Sequence, residues 1–332
     1  MTTPEQVLRE AYGLLDAELR PADGGLINHN YRVSSSRGDF SLKQYSSWVT
    51  DEALEFSLCL LTWLPQNLTT HRVPGVVTTT EGTLYVPGPD RWVLQHQCPG
   101  QMVSFEQVTI AQTADMGATL ATTHQVLDRY PYRRRPPQRP MWPDASGSIE
   151  RCHELMDLVR HSGRNGPFEE TIQEMVDFKL RYLVRHEISP QRFMHLGLQL
   201  CHNDYHLSNV LYEGDHVVSI LDWDNACDYF RGYDLIRCAG FISMRHGHWH
   251  PDYFLAFAQG YLSERKLPAD ELRILPELWF SKLLSSNFGF IQHYTGTHDQ
   301  EMSDRFAIQR YQLMRWLHDH KEELGELLAS MA

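Results

Sequence analysis

Between Pro4 and Leu19, Val7, Leu8, Ala11, Leu14 and Leu15 recur at helical spacing, which predicts a short amphipathic helix. The period then changes. The glycine pair Gly24-Gly25 leads into an alternating stretch that ends at Val33. Ser34 to Gly38 reads as a turn, and Phe40 to Tyr45 alternates again as a returning strand. From Asp51 to Leu64 the spacing is helical, with Leu54, Leu58, Leu61 and Trp63 on or near one face. Val76 to Thr80 and Thr83 to Val86 flank Glu81-Gly82, predicting a second hairpin, and Trp92 to Gln97 is a further strand broken by Cys98-Pro99-Gly100. From Phe105 onward the pattern is mainly helical. Met116 to His124 is a small-residue helix, followed by helical stretches at Ile149 to Arg160, Phe168 to His186, Tyr253 to Leu262, Leu272 to Gln292 and Met302 to Leu328. A β-rich part over residues 1–97 followed by a mostly helical part over 98–332 predicts an α+β chain of two lobes.

Composition narrows the class. The 332 residues suffice for two lobes, and 42% hydrophobic with 22% charged residues is ordinary globular usage. A net charge of −12 argues against nucleic acid or an anionic membrane as the main partner. The six cysteines are scattered without a Cys-x-x-Cys pair, which points to a reducing cytoplasm rather than a disulfide or zinc framework. The first residues are polar and acidic, and no apolar run approaches the length of a membrane span. Two local features compete with this picture. Tyr130 to Trp142 is proline-rich and basic, a solvated loop or a lid, and His246-Gly247-His248-Trp249-His250 has the look of a zinc site without an identifiable carboxylate or cysteine partner.

The chemistry concentrates in Leu200-Cys201-His202-Asn203-Asp204-Tyr205-His206-Leu207-Ser208-Asn209. After it come Val210 to Tyr212, a Glu213-Gly214-Asp215 turn, an apolar strand from Val217 to Leu221, and Asp222-Trp223-Asp224. A tight hairpin brings its ends together, so Asp222 is expected near Asn209 and Asp204. Two carboxylates and an amide oxygen can orient a hydroxyl and hold magnesium on nucleotide phosphates, because magnesium takes few protein oxygens and completes its shell with phosphate and water. Upstream, glycines at the front of one strand and Lys43 on the next could close over a triphosphate.

His-x-Asp-x-x-x-x-Asn, a short hairpin and Asp-Trp-Asp, in that order, resemble the catalytic core of the aminoglycoside phosphotransferase, choline kinase and type II homoserine kinase group. Asn28, Tyr31, Val33 and Lys43 match the strand pattern of the same family. The resemblance implies a protein-kinase-like two-lobe fold and transfer of the ATP γ-phosphoryl group to a hydroxyl of a small molecule: an amino alcohol, amino sugar, homoserine-like metabolite or aminoglycoside. It implies Asp204 as catalytic base, Asn209 and Asp222 as ligands of Mg2+, and His202 as a brace of the loop. Gly25, Asn28 and Lys43 would meet the phosphates, with adenine at the backbone of a hinge near His96 and Cys98. A helix glutamate, Glu55 or Glu52, would pair with Lys43, with Glu55 nearer the apolar face. Asp234, in Tyr233-Asp234-Leu235, would be a buried brace of the catalytic loop. Asp224 and Asp228 beside the site would suit an amine-bearing acceptor. A kinase-fold protein that binds without catalysing is the alternative.

Overall fold

In the computed structural model, which describes residues 3–22, 28–45, 49–132, 144–186, 190–296 and 299–332, the helices and strands alternate early and the helices dominate later. The elements run α1 (Pro4–Tyr12), β1 (Glu18–Pro21), β2 (His29–Ser35), β3 (Gly38–Tyr45), α2 (Asp51–Asn67), β4 (Val76–Val77), β5 (Arg91–His96), α3 (Ile110–Leu127), α4 (Ala145–Ser162) and α5 (Pro167–Arg185). They continue with β6 (Leu198–Cys201), β7 (Val210–Glu213), β8 (His216–Ile220), β9 (Cys227–Phe230), α6 (Tyr233–Ser243), β10 (Met244–Arg245), β11 (His248–Trp249), α7 (Pro251–Glu264), α8 (Ala269–Ser285), α9 (Phe290–Thr295) and α10 (Gln300–Ala329).

Contacts divide the chain into two units. One holds Met1–Val103 together with Ser208–Ala226, and the other holds Ser104–Leu207 with Cys227–Ala332. The first unit thus runs past Gln97 and takes back a later segment. The cause is hydrogen bonding: Gln101 and Tyr212 exchange N–H···O bonds of 2.9 and 2.8 Å, Arg72 bonds Val218 and Ile220, and the Ser219 hydroxyl donates to the Pro99 carbonyl at 2.6 Å. Gly100, at φ +103°, lets this approach happen, since a Cβ there would stand 2.7 Å from Val218 and 2.9 Å from Leu211.

The first unit is built on an antiparallel sheet of order β1-β2-β3-β5-β4. Strand alternation sends Val33, Phe40, Leu42, Trp92 and Leu94 to one face, where Val7, Leu8 and Tyr12 of α1 cover them. The other face presents Tyr45 and Val93 to Leu54 and Leu58 of α2. Lys43 lies opposite Val93 in the ladder, so it stands on this second face, and only 8% of it is exposed. The expected hairpin over residues 76–86 is different. Val76–Val77 pairs with β5, while Thr79 and Thr83 close a tight turn through a 2.9 Å backbone bond and a 2.7 Å contact between their hydroxyls. Threonine side chains here take up hydrogen bonds that a strand ladder would have used.

In the second unit α3 and α7 cross at Gly117 and Gly260, where added Cβ atoms would lie 2.1 Å from the Phe257 carbonyl oxygen and 2.0 Å from that of Ala114. The small-residue helix read from the sequence is this contact surface. The helical pattern expected from Phe105 onward begins at Ile110, because Thr109 and Gln112 form a capping box there. The helical stretch over 272–292 splits into α8 and α9 around Gly289, at φ +91°. β6 and β9 pair antiparallel, Cys201 opposite Cys227. The histidine-rich segment spans β11 of a small hairpin, with Trp249 stacked on Trp316 at 3.8 Å. The metal-like grouping found among the described residues is His124, Cys201 and Asp234, not these histidines. The 130–142 insert lies, beyond Tyr132, outside the described residues. Among the described residues no helix is long and apolar enough to cross a membrane.

Candidate active site

The residues singled out by the sequence fall in both units, and each group has its own geometry. In the second unit, the chain leaves β6 at Cys201 and turns through His202 to His206. Asn203 adopts φ +64°, the left-handed region that asparagine tolerates better than most side chains, and this turns the loop sharply enough to present Asp204. Its side chain donates to the Cys227 sulfur at 3.2 Å. Asp234, the second residue of α6 and fully buried, accepts the backbone N–H of His202 at 2.9 Å and that of Asn203 at 3.0 and 3.2 Å. His124 of α3 adds a third partner at 3.2 Å, and the other nitrogen of its ring meets the Tyr261 hydroxyl at 2.9 Å. Burial opposes ionisation of Asp234, yet His124 and the backbone donors hold its carboxyl below the usual range.

Asp204 is partly buried. Its Oδ1 accepts from the Arg237 guanidinium at 2.5 Å, and the His206 Nε2 stands 3.7 Å away. Its backbone N–H donates to the His202 ring at 3.3 Å, so His202 does brace the turn. Desolvation pushes the Asp204 carboxyl up, but Arg237, followed by His206 and His202, outweighs it and brings the carboxyl down to about 2. The Tyr205 hydroxyl donates to the Met116 carbonyl at 3.0 Å, tying the loop to α3.

In the first unit, β7 and β8 form the hairpin foreseen around Glu213-Gly214-Asp215, with a bulge between Leu211 and Tyr212. The Leu221 N–H donates to the Asn209 carbonyl at 2.8 Å, which brings Asp222 beside Asn209 at the open end of the hairpin. Asp222 takes φ +56°, a turn that lets both Asp222 and Asp224 address one cation. The Lys43 ammonium lies 3.0 Å from Asp222 Oδ1 and 2.5 Å from Asp224 Oδ2. The Tyr45 hydroxyl donates to Asp224 Oδ1 at 2.7 Å, and the Asn28 amide donates to Oδ2 at 3.3 Å. Burial disfavours charge on Lys43, but the two carboxylates hold its ammonium protonated well above the ordinary range. Burial, with Asp222 as a like charge, raises the Asp224 carboxyl despite Lys43. Two carboxylates sharing one ammonium, beside an amide oxygen, make a hard-oxygen donor set with surplus negative charge, which fits a divalent cation.

Glu55 is not part of this cluster. It is exposed on α2, and among the described residues the ammonium of Lys43 is bound by Asp222 and Asp224 instead. Asp224 is likewise committed to Lys43, Tyr45 and Asn28 rather than left as charge for an amine-bearing acceptor. His96 ends β5, its backbone N–H bonded to the Gly75 carbonyl at 2.9 Å. Burial pushes the Cys98 thiol up to about 11. Gly25 lies outside the described residues. Sequence reasoning missed Tyr45 and Arg237. Tyr45 lies two positions beyond Lys43 and therefore on the same face, and Arg237 lies three beyond Asp234 and therefore on the same side of α6; periodicity alone could have flagged both.

With this geometry in hand, known proteins place the chain. It is 24% identical over 266 residues to a homoserine kinase of Sinorhizobium fredii (strain NBRC 101917 / NGR234), covering 76% of this chain and 72% of that one. Among solved structures it is similar to a microcompartment-associated aminopropanol kinase, with a TM-score of 0.64, 18% identity and 98% of each chain covered. It is also similar to an amicoumacin kinase in complex with AMP-PNP, Ca2+ and Ami, with a TM-score of 0.62, 14% identity, and 95% of this chain and 94% of that one covered. These likenesses establish an α+β, protein-kinase-like two-lobe fold, as expected from the sequence. Residues 18–278, more than half of the chain, match the model of the phosphotransferase enzyme family, and the chain belongs to that family.

Proposed function

We propose that the protein is a cytoplasmic ATP-dependent kinase that transfers the γ-phosphoryl group to the hydroxyl of a small amino-alcohol-like metabolite, with a homoserine-like compound as the first candidate. The observation that supports this reading most directly is Asp204: a carboxylate on a sharply turned loop, kept ionised by a buried arginine. The homoserine kinase relative and the AMP-PNP complex of the amicoumacin kinase support the acceptor class and the nucleotide.

In this reading Asp204 accepts a hydrogen bond from the acceptor hydroxyl and directs its oxygen at the γ-phosphorus. The new O–P bond forms as the bond from phosphorus to the β,γ-bridging oxygen breaks. ADP leaves, and the hydroxyl proton passes to Asp204. A carboxyl held near 2 is a weak base, so orientation is its larger contribution, which suits a loose transition state in which the proton moves late. Asn209 and Asp222 would hold Mg2+, which would supply neutralisation of phosphate charge. Lys43 would contribute a fixed positive charge to the phosphates, its ammonium held by Asp224, which Tyr45 and Asn28 hold in turn. His96 and Cys98 would offer backbone groups to adenine.

The test is turnover with Mg-ATP across homoserine, short amino alcohols, amino sugars and aminoglycosides, run on the parent and on Asp204→Asn. The variant keeps the size of the side chain but loses its charge and basicity, so kcat should fall about 10²–10⁴-fold with ATP affinity nearly unchanged. A folded variant that turns over near the parent rate removes Asp204 from this role. Nucleotide binding without turnover of any acceptor favours a non-catalytic kinase-fold protein.

A further inference from the structure

Helix α6 carries two side chains of opposite charge, one turn apart, and both reach the loop that follows β6. Asp234 receives the loop's donors, the backbone N–H groups of His202 and Asn203. Arg237 serves its acceptors, giving one N–H to Asp204 Oδ1 at 2.5 Å and another to the Tyr205 carbonyl at 3.3 Å. Arg237 is only 8% exposed, and its guanidinium sits 5.6 Å from the centre of the Phe241 ring. Burying a guanidinium is costly, and the carboxylate that compensates it here is the one on which the proposed chemistry depends. Holding a loop carbonyl would need only a neutral donor. The planar, permanently charged fork of arginine adds control of a carboxylate's orientation and charge.

We propose that Arg237 is a positioning residue for phosphoryl transfer, fixing the plane and the ionised state of the Asp204 carboxylate so that the acceptor hydroxyl meets a preorganised partner. This inference rests on the reading of Asp204 as the group that orients that hydroxyl. Within its own unit Asp204 is faced by Arg237 and Tyr233 from α6 and by His202 and His206 from its own loop. With Arg237 removed, desolvation of Asp204 loses the strongest of the charges that oppose it. The carboxyl then titrates at higher pH than in the parent. An arginine with a merely structural role would shift the same titration but leave kcat of the folded protein unchanged.

The experiment compares Arg237→Gln and Arg237→Lys with the parent in the full chain, and repeats Arg237→Gln in an Asp204→Asn background. Turnover is followed with Mg-ATP and the best acceptor of the homoserine, amino-alcohol and amino-sugar panel. The carbon-13 carboxyl resonance of Asp204 is titrated in parallel, without nucleotide or acceptor. Arg237→Gln should lower kcat about tenfold or more at unchanged KM for ATP, and should move the acid limb of kcat/KM upward by about one pH unit or more. Asp204 should titrate at higher pH in this variant than in the parent. Arg237→Lys, which keeps charge but not the fork, should leave the titration low and still lose turnover. In the Asp204→Asn background, Arg237→Gln should cost little more. A folded Arg237→Gln whose Asp204 titration and acid limb stay in place, or whose loss multiplies with that of Asp204→Asn, overturns the proposal. If Arg237→Gln does not fold, parent-level kcat in Arg237→Lys overturns it. No turnover by the parent with any acceptor overturns the phosphotransfer reading itself, a result distinct from turnover with an unmoved Asp204.

Discussion

The Asp234 carboxylate meets the backbone N–H of Asn203 with both of its oxygens, at 3.0 and 3.2 Å. A side chain on α6 thereby sets the conformation of a loop residue 31 positions earlier, and the loop's one sharp turn depends on a buried negative charge.

Asp234→Asn replaces that charge with an amide that cannot accept from three donors at once. The cost should be about 3 kcal/mol at neutral pH, the scale for breaking a buried charged network. The sign with pH follows from the depressed carboxyl: its contribution is present above the unfolded value near 3.8 and is lost as pH falls through the lower folded value. Urea unfolding of parent and variant should therefore show a gap that narrows below about pH 4. A gap of constant size would show that the carboxylate charge is not its source.

Asn203, at φ +64°, should be replaceable by glycine at a cost below about 1 kcal/mol, whereas Asn203→Val should cost about 2 kcal/mol, because a β-branched side chain is poorly tolerated in the left-handed region. Thermal midpoints measure the difference. Equal midpoints would mean that the loop relaxes out of this conformation.

Asp222→Ala leaves Lys43 paired with Asp224 alone and removes the carboxylate next to Asn209. Calorimetry with AMP-PNP should show weaker nucleotide binding and a reduced dependence on magnesium, while Tm changes little, since Asp222 is the more exposed of the pair at 39% against 14%. Unchanged affinity and metal dependence would take Asp222 out of metal binding.

Gly117→Ala should destabilise the protein by more than an ordinary overpacking change of about 1–3 kcal/mol. The methyl group would meet the backbone carbonyl of Phe257 at 2.1 Å, and no side chain can rotate out of the way. Denaturant unfolding gives the value, and a loss below about 1 kcal/mol would mean that α3 and α7 separate at little cost.

What the sequence revealed, and what it did not, divides along physical lines. The β2–β3 pair, the β7–β8 hairpin and the buried role of Asp234 were readable because alternation, turn residues and motif spacing are local or nearly so. The partner of Lys43 was not. A glutamate on the following helix was the nearer candidate in sequence, but the ammonium binds Asp224, 181 residues away. A choice between distant carboxylates is made by packing, which leaves no periodic trace. Thr83 to Val86 looked like a strand because threonine and valine favour extended backbone, yet the Thr83 hydroxyl and that of Thr79 took part in closing a turn.

The first unit is assembled from two separate pieces of chain, Met1–Val103 and Ser208–Ala226. On the ribosome its sheet can form early, but the hydrogen-bonding partners of Arg72, Pro99 and Gln101 are synthesised more than a hundred residues later. At ordinary translation rates of about 5–20 residues per second, several seconds pass before those partners exist. The nascent N-terminal part must meanwhile keep its edge around Pro99–Gln101 from pairing elsewhere, so a fragment that ends near Val103 is an incomplete folding unit. Cutting the gene there, as a simple lobe boundary would suggest, would separate a sheet from the hairpin that completes it.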